Sequence, residues 1–264
     1  MSSQAKHTTL LVDGHVHIHD CFDLSQFLAA TYKNFSKQAK TLDSPSVWAI
    51  LLTEIQGVNA FSNLVNQQDQ LNQQLQDWTI ESTDENTSLR LKHTSGQLLL
   101  ILAGRQIVTQ EKIEVLALLT DTTIPDGLPL PDTLAKVTES HALPVLPWGV
   151  GKWIGSRGTL VEQQFKADNF PLFIGDNGGR PNFWPLPKFC QQQPQLPGTD
   201  PLPLTHEAHR TGSFGFSTQG PLNLDQPSES IKQILLTPQQ PLTAYGKLQS
   251  PISFLRNQLQ LRVS

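Results

Sequence analysis

Residues 10–20, LLVDGHVHIHD, decide how this chain is read. A short apolar run passes directly into three histidines at alternate positions, His15, His17 and His19, with Asp13 just before them. In an extended strand successive side chains leave on opposite faces, so these four residues would share one face, neighbours about 6.5 Å apart along the strand. Neutral imidazole is the commonest protein metal ligand, and two imidazoles two residues apart at the end of a buried strand can reach one cation from the same side. Packing gives no reason for an apolar strand to end in D-x-H-x-H-x-H. The stretch therefore predicts a metal site, against the plainer alternative of a polar strand end whose histidines face solvent.

With 264 residues, 38% of them hydrophobic and 16% charged, the chain has material for one large core, and α/β barrels run to such lengths as single domains. One domain over 1–264 is expected, with its main body at about 8–220 and a Pro/Gln-rich helical extension at about 221–264. The net charge of −4 carries no basic footprint, so no nucleic-acid partner is expected. No apolar stretch approaches the ~20 residues of a membrane span, and no charged-then-apolar leader opens the sequence. Two cysteines, Cys21 and Cys190, cannot build a disulfide framework, and a cytoplasmic setting is the expectation. Cys21, four residues past His17, reads as a small apolar filler rather than a thiolate ligand. Oligomeric state is not legible.

Asp23 predicts an N-cap for a helix to about residue 38, with Phe27, Leu28, Tyr32 and Phe35 at helical spacing. Residues 46–52, SVWAILL, predict a buried strand, and 58–75 a helix with one wet face. Short strands at 78–81, 89–92, 97–103 and 113–119 predict a β-rich insertion. A helix over 131–141, a strand over 143–150, a helix after Gly158, a strand over 171–175 and the segment 198–204 restore a βαβ rhythm. Helices near 228–236 and 252–261 follow.

With these elements in order, the chain resembles the polymerase and histidinol phosphatase (PHP) family of metal-dependent phosphoesterases. The opening D-x-H-x-H in VDGHVHIH also fits amidohydrolases and TatD-like hydrolases, and three later stretches narrow the match. Residues 48–54, WAILLTE, are similar to the family's strand ending in T-D-H; residues 100–118 to its G-x-E … H-v-L hairpin; and residues 198–200, GTD, to its closing G-S-D-x-H. The resemblance covers about the first 215 residues. It implies an α/β fold of the distorted (β/α)7 TIM-like barrel type, a divalent metal (zinc, manganese or magnesium), and hydrolysis of a phosphorylated small molecule.

Carried over residue by residue, the resemblance leaves His15, His17 and Asp200 at ligand positions. Glu54 and Ile55 stand in place of the Asp-His of T-D-H, Gln106 replaces the glutamate, Glu114 replaces the hairpin histidine, and Leu202 stands where the last histidine would be. The ligands present suffice for one metal if a fourth comes from elsewhere. Glu54 and Glu114 are the candidates for it, because a carboxylate can replace imidazole as a hard ligand, and Glu54 is also a candidate catalytic carboxylate.

Three other stretches bear chemistry. Residues 175–181, GDNGGRP, form a glycine-rich turn in which Arg180 could clamp a phosphate or pair with Asp176. Residues 147–158, PWGVGKWIGSRG, place Lys152 and Arg157 on a loop entering a helix, suited to an anion or to plain aromatic packing. Residues 205–210, THEAHR, offer His206 and His209 as ligand or general acid/base, or as a solvated turn. Two functions follow. The first is a hydrolase using metal-activated water, with Arg180, Lys152 or Arg157 neutralising developing charge. The second is a PHP-like binding or regulatory module without catalysis. An amidohydrolase would need a lysine and two further histidines at strand ends; Lys152 is present and the histidines are not.

Overall fold

The computed structural model describes residues 6–262. Its first strand, β1 (Lys6–Val16), lies near the middle of a seven-stranded sheet. The neighbours of β1 are β2 (Ser46–Leu52), parallel to it, and β10 (Phe214–Leu222), antiparallel to it. Outside β2 come β5 (Leu98–Leu102), β4 (Ser88–His93) and β3 (Trp78–Ser82); outside β10 comes β11 (Thr243–Gly246). A second sheet has four strands in the order β6 (Gly104–Val108), β7 (Glu114–Leu118), β8 (Leu143–Trp148) and β9 (Phe173–Asp176).

The expected barrel is therefore corrected: the fold is a mixed α/β arrangement of two sheets, and no closed barrel forms among the described residues. Strand direction is the physical reason. A (β/α) barrel needs parallel neighbours all round, whereas β3, β4 and β5 form an antiparallel meander, β6–β7 and β7–β8 pair antiparallel, and β10 runs against β1. Between β9 and β1 runs a segment that is not a strand. Leu196 N donates to Ile174 O (2.8 Å) and Gly198 N to Asp176 O (3.0 Å), while Gly14 N donates to Pro197 O (3.0 Å) and Asp200 N to His15 O (2.8 Å). Pro194 and Pro197, lacking N–H groups, keep this stretch from forming a regular ladder.

The helices are α1 (Leu24–Ala39), α2 (Ala60–Asn66), α3 (Gln68–Gln74), α4 (Leu130–Glu139), α5 (Ser156–Ala167), α6 (Pro227–Leu236) and α7 (Pro251–Gln260). Asp23 caps α1 as the sequence predicts, its Oδ1 accepting from Gln26 N at 2.8 Å. The single helix expected over 58–75 is two short ones that meet at Gln67. The segment 198–204 forms no strand, and 205–209 form a 3-10 turn. Among the described residues, no helix is long and apolar enough to cross a membrane.

Apolar side chains sort into three layers. Leu11, Trp48, Ile50 and Leu52 pack with Phe27 and Phe35 of α1 on one face of the large sheet. Leu10, Val12, Ala49, Leu51, Leu116 and Val145 fill the space between the sheets. Ile107, Val115, Leu146 and Ile174 pack under Leu134 of α4 and Val161 of α5.

Candidate metal centre

The alternation along β1 does not persist to the histidines. Leu11, Asp13 and Val16 pair with Trp48, Ile50 and Leu52 of β2, so three residues of β1 separate the last two pairs where β2 spends two. Val16 accordingly joins Leu11 in the outer layer. A one-residue bulge reverses which face follows, and it turns His15 and His17 away from the side that Asp13 occupies. The expected common face of Asp13 and the histidines is thus split.

Asp13 then serves the backbone. It is fully buried, and its two oxygens accept from Thr199 N (2.8 Å), Thr199 Oγ1 (2.6 Å) and Gly212 N (2.8 Å). Burial pushes its carboxyl up to about 6, against the pull of these hydrogen bonds. By holding Thr199, Asp13 fixes the residue before Asp200. Gly198 makes the approach possible, because a Cβ there would sit 2.2 Å from His15 N. Asp200 takes a left-handed backbone conformation, φ 45°, which Asp tolerates better than most residues.

These local features bring three donors together. His15 Nε2 and His17 Nε2 are 3.1 Å apart, and Asp200 Oδ1 is 3.4 Å from each. Both histidines are buried. A shared proton can bridge one pair of these atoms; a cation satisfies all three. In a tetrahedral site with ligand bonds of about 2.0–2.1 Å, ligand atoms lie about 3.3–3.4 Å from one another. Two imidazoles and a carboxylate at these separations fit a borderline divalent ion such as zinc.

Electrostatics prepare the donors in their binding forms. Burial drives His15 down to about 3, outweighing the nearby Asp200 carboxylate, so its ring is neutral at ordinary pH. Asp200 is held well below the usual carboxylate range: burial opposes its charge, while the Lys152 ammonium and a hydrogen bond with His17 favour it. One prediction follows for metal-free protein. The His15 pKa falls on folding, from 6.5 to about 3, so its contribution is complete above pH 6.5 and is lost as pH drops toward 3. Wild type should lose about 2–3 kcal/mol relative to a His15→Asn variant between pH 6.5 and 4.5. Denaturant titrations in chelator at both pH values measure this, and a pH-independent gap would contradict the buried neutral histidine.

A cavity of about 340 Å³ opens beside the three donors, lined in part by His17, His19, Gln106, Glu114, Lys152 and Asn177. Asn177 is the functional residue that sequence reasoning missed. Its Oδ1 accepts from Gly179 N at 2.6 Å, which leaves its amide N–H to donate to Asp200 Oδ2. Asn177 lies in the GDNGGRP turn, three residues before Arg180. Lys152 Nζ lies 2.5 Å from Glu114 Oε2 and 3.9 Å from Asp200 Oδ2. Burial works against its charge, yet the Asp200 and Glu114 carboxylates outweigh that and hold the ammonium above its usual range.

The remaining expected residues are placed differently. Glu54 does not line the cavity: its carboxylate accepts from Phe61 N (2.6 Å) at the start of α2 and pairs with Arg105 Nη1 (2.9 Å). Glu114 lines the cavity, but its Oε2 is taken by Lys152 and it is not among the three converging donors. Arg180 is a buried lining residue, tied to Asp176 (2.6 and 3.1 Å) and to Trp184 O (2.5 Å), the pairing that competes with a phosphate clamp. His206 lies outside the cavity, 3.2 Å from Asn257 Oδ1. Arg157 Nη2 points to Gly151 O at 3.3 Å. His19 Nε2 is bound to Pro201 O at 2.9 Å and only lines the wall.

The C-terminal stretch, expected to be an extension, forms the cavity's cover. Phe254, Asn257 and Gln258 of α7 face inward, and buried Asn257 donates to Glu207 Oε1 at 2.8 Å. An Asn257→Ala substitution should loosen α7, seen as at least tenfold faster amide exchange over 251–260 with the sheets unaffected. Unchanged exchange there would show that this bond does not hold the cover.

No protein-family model matches the chain, and no curated protein matches it in sequence. Solved structures that share its fold include two of low sequence identity. PsfC from Pseudomonas syringae PB-5123 matches with a TM-score of 0.53 at 12% identity, over 97% of this chain and 98% of that one. The lesion-specific endonuclease PfuEndoQ from Pyrococcus furiosus matches with a TM-score of 0.51 at 11% identity. That match covers 91% of this chain and 59% of the endonuclease, so the chain spans little more than half its length. At such identities the likeness is one of fold alone.

Proposed function

We propose that this protein is a PHP-like metal-dependent hydrolase acting on a phosphorylated small molecule. The observation that carries the reading is the convergence of His15 Nε2, His17 Nε2 and Asp200 Oδ1 within 3.4 Å of one another beside a cavity. These residues would hold the ion. A bound divalent cation supplies Lewis acidity and lowers the pKa of water to near neutrality.

The chain's own residues do the rest. Asp13, through Thr199, fixes Asp200 against β1. Asn177 donates to the second Asp200 oxygen and so fixes which oxygen faces the histidines. Lys152 brings positive charge to the cavity, which favours an anionic group such as a phosphate ester over a neutral amide. Phe254, Asn257 and Gln258 of α7 line the cavity, and its volume of about 340 Å³ together with the net charge of −4 favours a small substrate over a nucleic-acid strand.

One observation favours a second reading, a ligand-binding module without turnover: Glu114, the carboxylate in the cavity that could act as a base, is held by Lys152, and Glu54 lies outside the cavity, paired with Arg105. A panel of phosphate esters, amides and lactones, assayed with Zn²⁺, Mn²⁺ and Mg²⁺ and after chelation, separates the two. Phosphate-ester hydrolysis lost on chelation and restored by metal is expected. Ligand binding with no turnover under any condition would overturn the hydrolase reading.

A further inference from the structure

Asp200 presents its two oxygens to two different surroundings. Oδ1 faces the histidine nitrogens at 3.4 Å, while Oδ2 accepts from Asn177 and lies 3.9 Å from Lys152 Nζ. Lys152 in turn sits 2.5 Å from Glu114 Oε2. A carboxylate shared between two positive centres, with a second carboxylate beyond, is the ligand layout of a two-ion site, in which the ions lie about 3.5–4 Å apart. Here the Asn177 amide meets Oδ2, and the Lys152 ammonium stands between that oxygen and Glu114.

We propose that Lys152 is this site's built-in second cation, occupying the place between Asp200 and Glu114 that a second divalent ion would need, so that the cavity takes one ion only. The inference rests on the metal centre proposed above. Volume and charge both support it. The lysine stem lies over Gly149, where a Cβ would come within 3.1 Å of Lys152 Cε and 3.3 Å of Cδ, so the loop after β8 is shaped around the side chain. Two carboxylates are balanced by one ammonium and one divalent ion with a single positive charge to spare. A second divalent ion beside an undisplaced ammonium would meet strong like-charge repulsion in a partly desolvated cavity. An ammonium has three N–H donors; the one directed at Glu114 leaves others for an anionic oxygen of a substrate. Lys152 thereby fixes both the metal count and the charge that meets the substrate.

The test is metal stoichiometry, which needs no turnover. Wild-type protein and the Lys152→Ala and Lys152→Met variants are dialysed to equilibrium against excess Mn²⁺, and bound metal is counted by elemental analysis, with electron paramagnetic resonance reporting spin coupling. Wild type is expected to hold one ion with an uncoupled spectrum. Lys152→Ala, which vacates the position and frees Glu114, should rise toward two ions with an exchange-coupled signal, whereas Lys152→Met, which refills the volume without charge, should remain at one. Two coupled ions in wild type would overturn the inference directly, even if neither variant folds. One ion in both wild type and a folded Lys152→Ala would overturn it too, while leaving the metal centre intact. No metal in wild type would overturn the metal centre itself, and the inference with it.

Discussion

Replacing both His15 and His17 by alanine should abolish bound divalent metal and with it any hydrolytic activity, a loss of at least 10³-fold. The two rings supply two of three converging donors, and a single carboxylate flanked by Lys152 is a poor ligand set. Stability reports the same event without a substrate. Metal that binds only the folded state stabilises it by mass action, about 4 kcal/mol at a thousandfold excess over Kd. Wild type should therefore gain several degrees in Tm on adding Zn²⁺ or Mn²⁺, and the double variant should gain none. An equal gain in both proteins would place the metal elsewhere.

Asp13→Ala should be the most damaging single substitution for the fold. The carboxylate has no exposure and accepts from three buried backbone N–H groups, those of Thr199, Gly212 and, at 3.4 Å, His15, together with the Thr199 hydroxyl. Each buried donor left unpaired costs about 1–3 kcal/mol, so a total of about 3–5 kcal/mol is expected. For a chain of this size that is on the order of a 10 °C fall in Tm. The effect should reach the site, because Thr199 precedes Asp200: metal affinity should fall even where the variant stays folded. Asp13→Asn, which keeps one acceptor, should lose less. A destabilisation under 1 kcal/mol in Asp13→Ala would show that Asp13 does not organise the junction of β1 with 199–212.

Local signals read well where one physical cause dominates. The apolar run of β2 falls on Ser46–Leu52 as expected, and Asp23 caps α1, because burial and capping act within a few residues. The convergence of Asp200 with His15 and His17 was accessible only through motif resemblance, since nothing local in GTD points across more than 180 residues. The sequence points to a barrel and the structure does not form one, because strand direction leaves little trace in a sequence. β10, with Gly215, Gly220 and Pro221 inside it, does not look like a strand, yet it pairs with β1 over seven residues. There the glycines make room, as at Gly215, where a Cβ would come within 2.0 Å of Val12 O.

Charged residues were the least legible part of the site. Glu54 and Glu114 sit where the motif comparison puts them along the chain, but each is held by a cation distant in sequence, Arg105 or Lys152. Pairing of that kind depends on which loops meet. The β1 bulge is equally silent: no residue type between Asp13 and Val16 requires it, although Gly14 permits the close passage of Pro197 O.

The central claim is that one divalent ion is held by His15, His17 and Asp200. Crystals of protein loaded with Zn²⁺ or Mn²⁺, with diffraction recorded on both sides of that metal's absorption edge, test it most directly. The account predicts a single anomalous peak about 2.0–2.2 Å from His15 Nε2, His17 Nε2 and an Asp200 oxygen. A map with no peak within bonding distance of the two histidines, from protein shown to contain the metal, would contradict it.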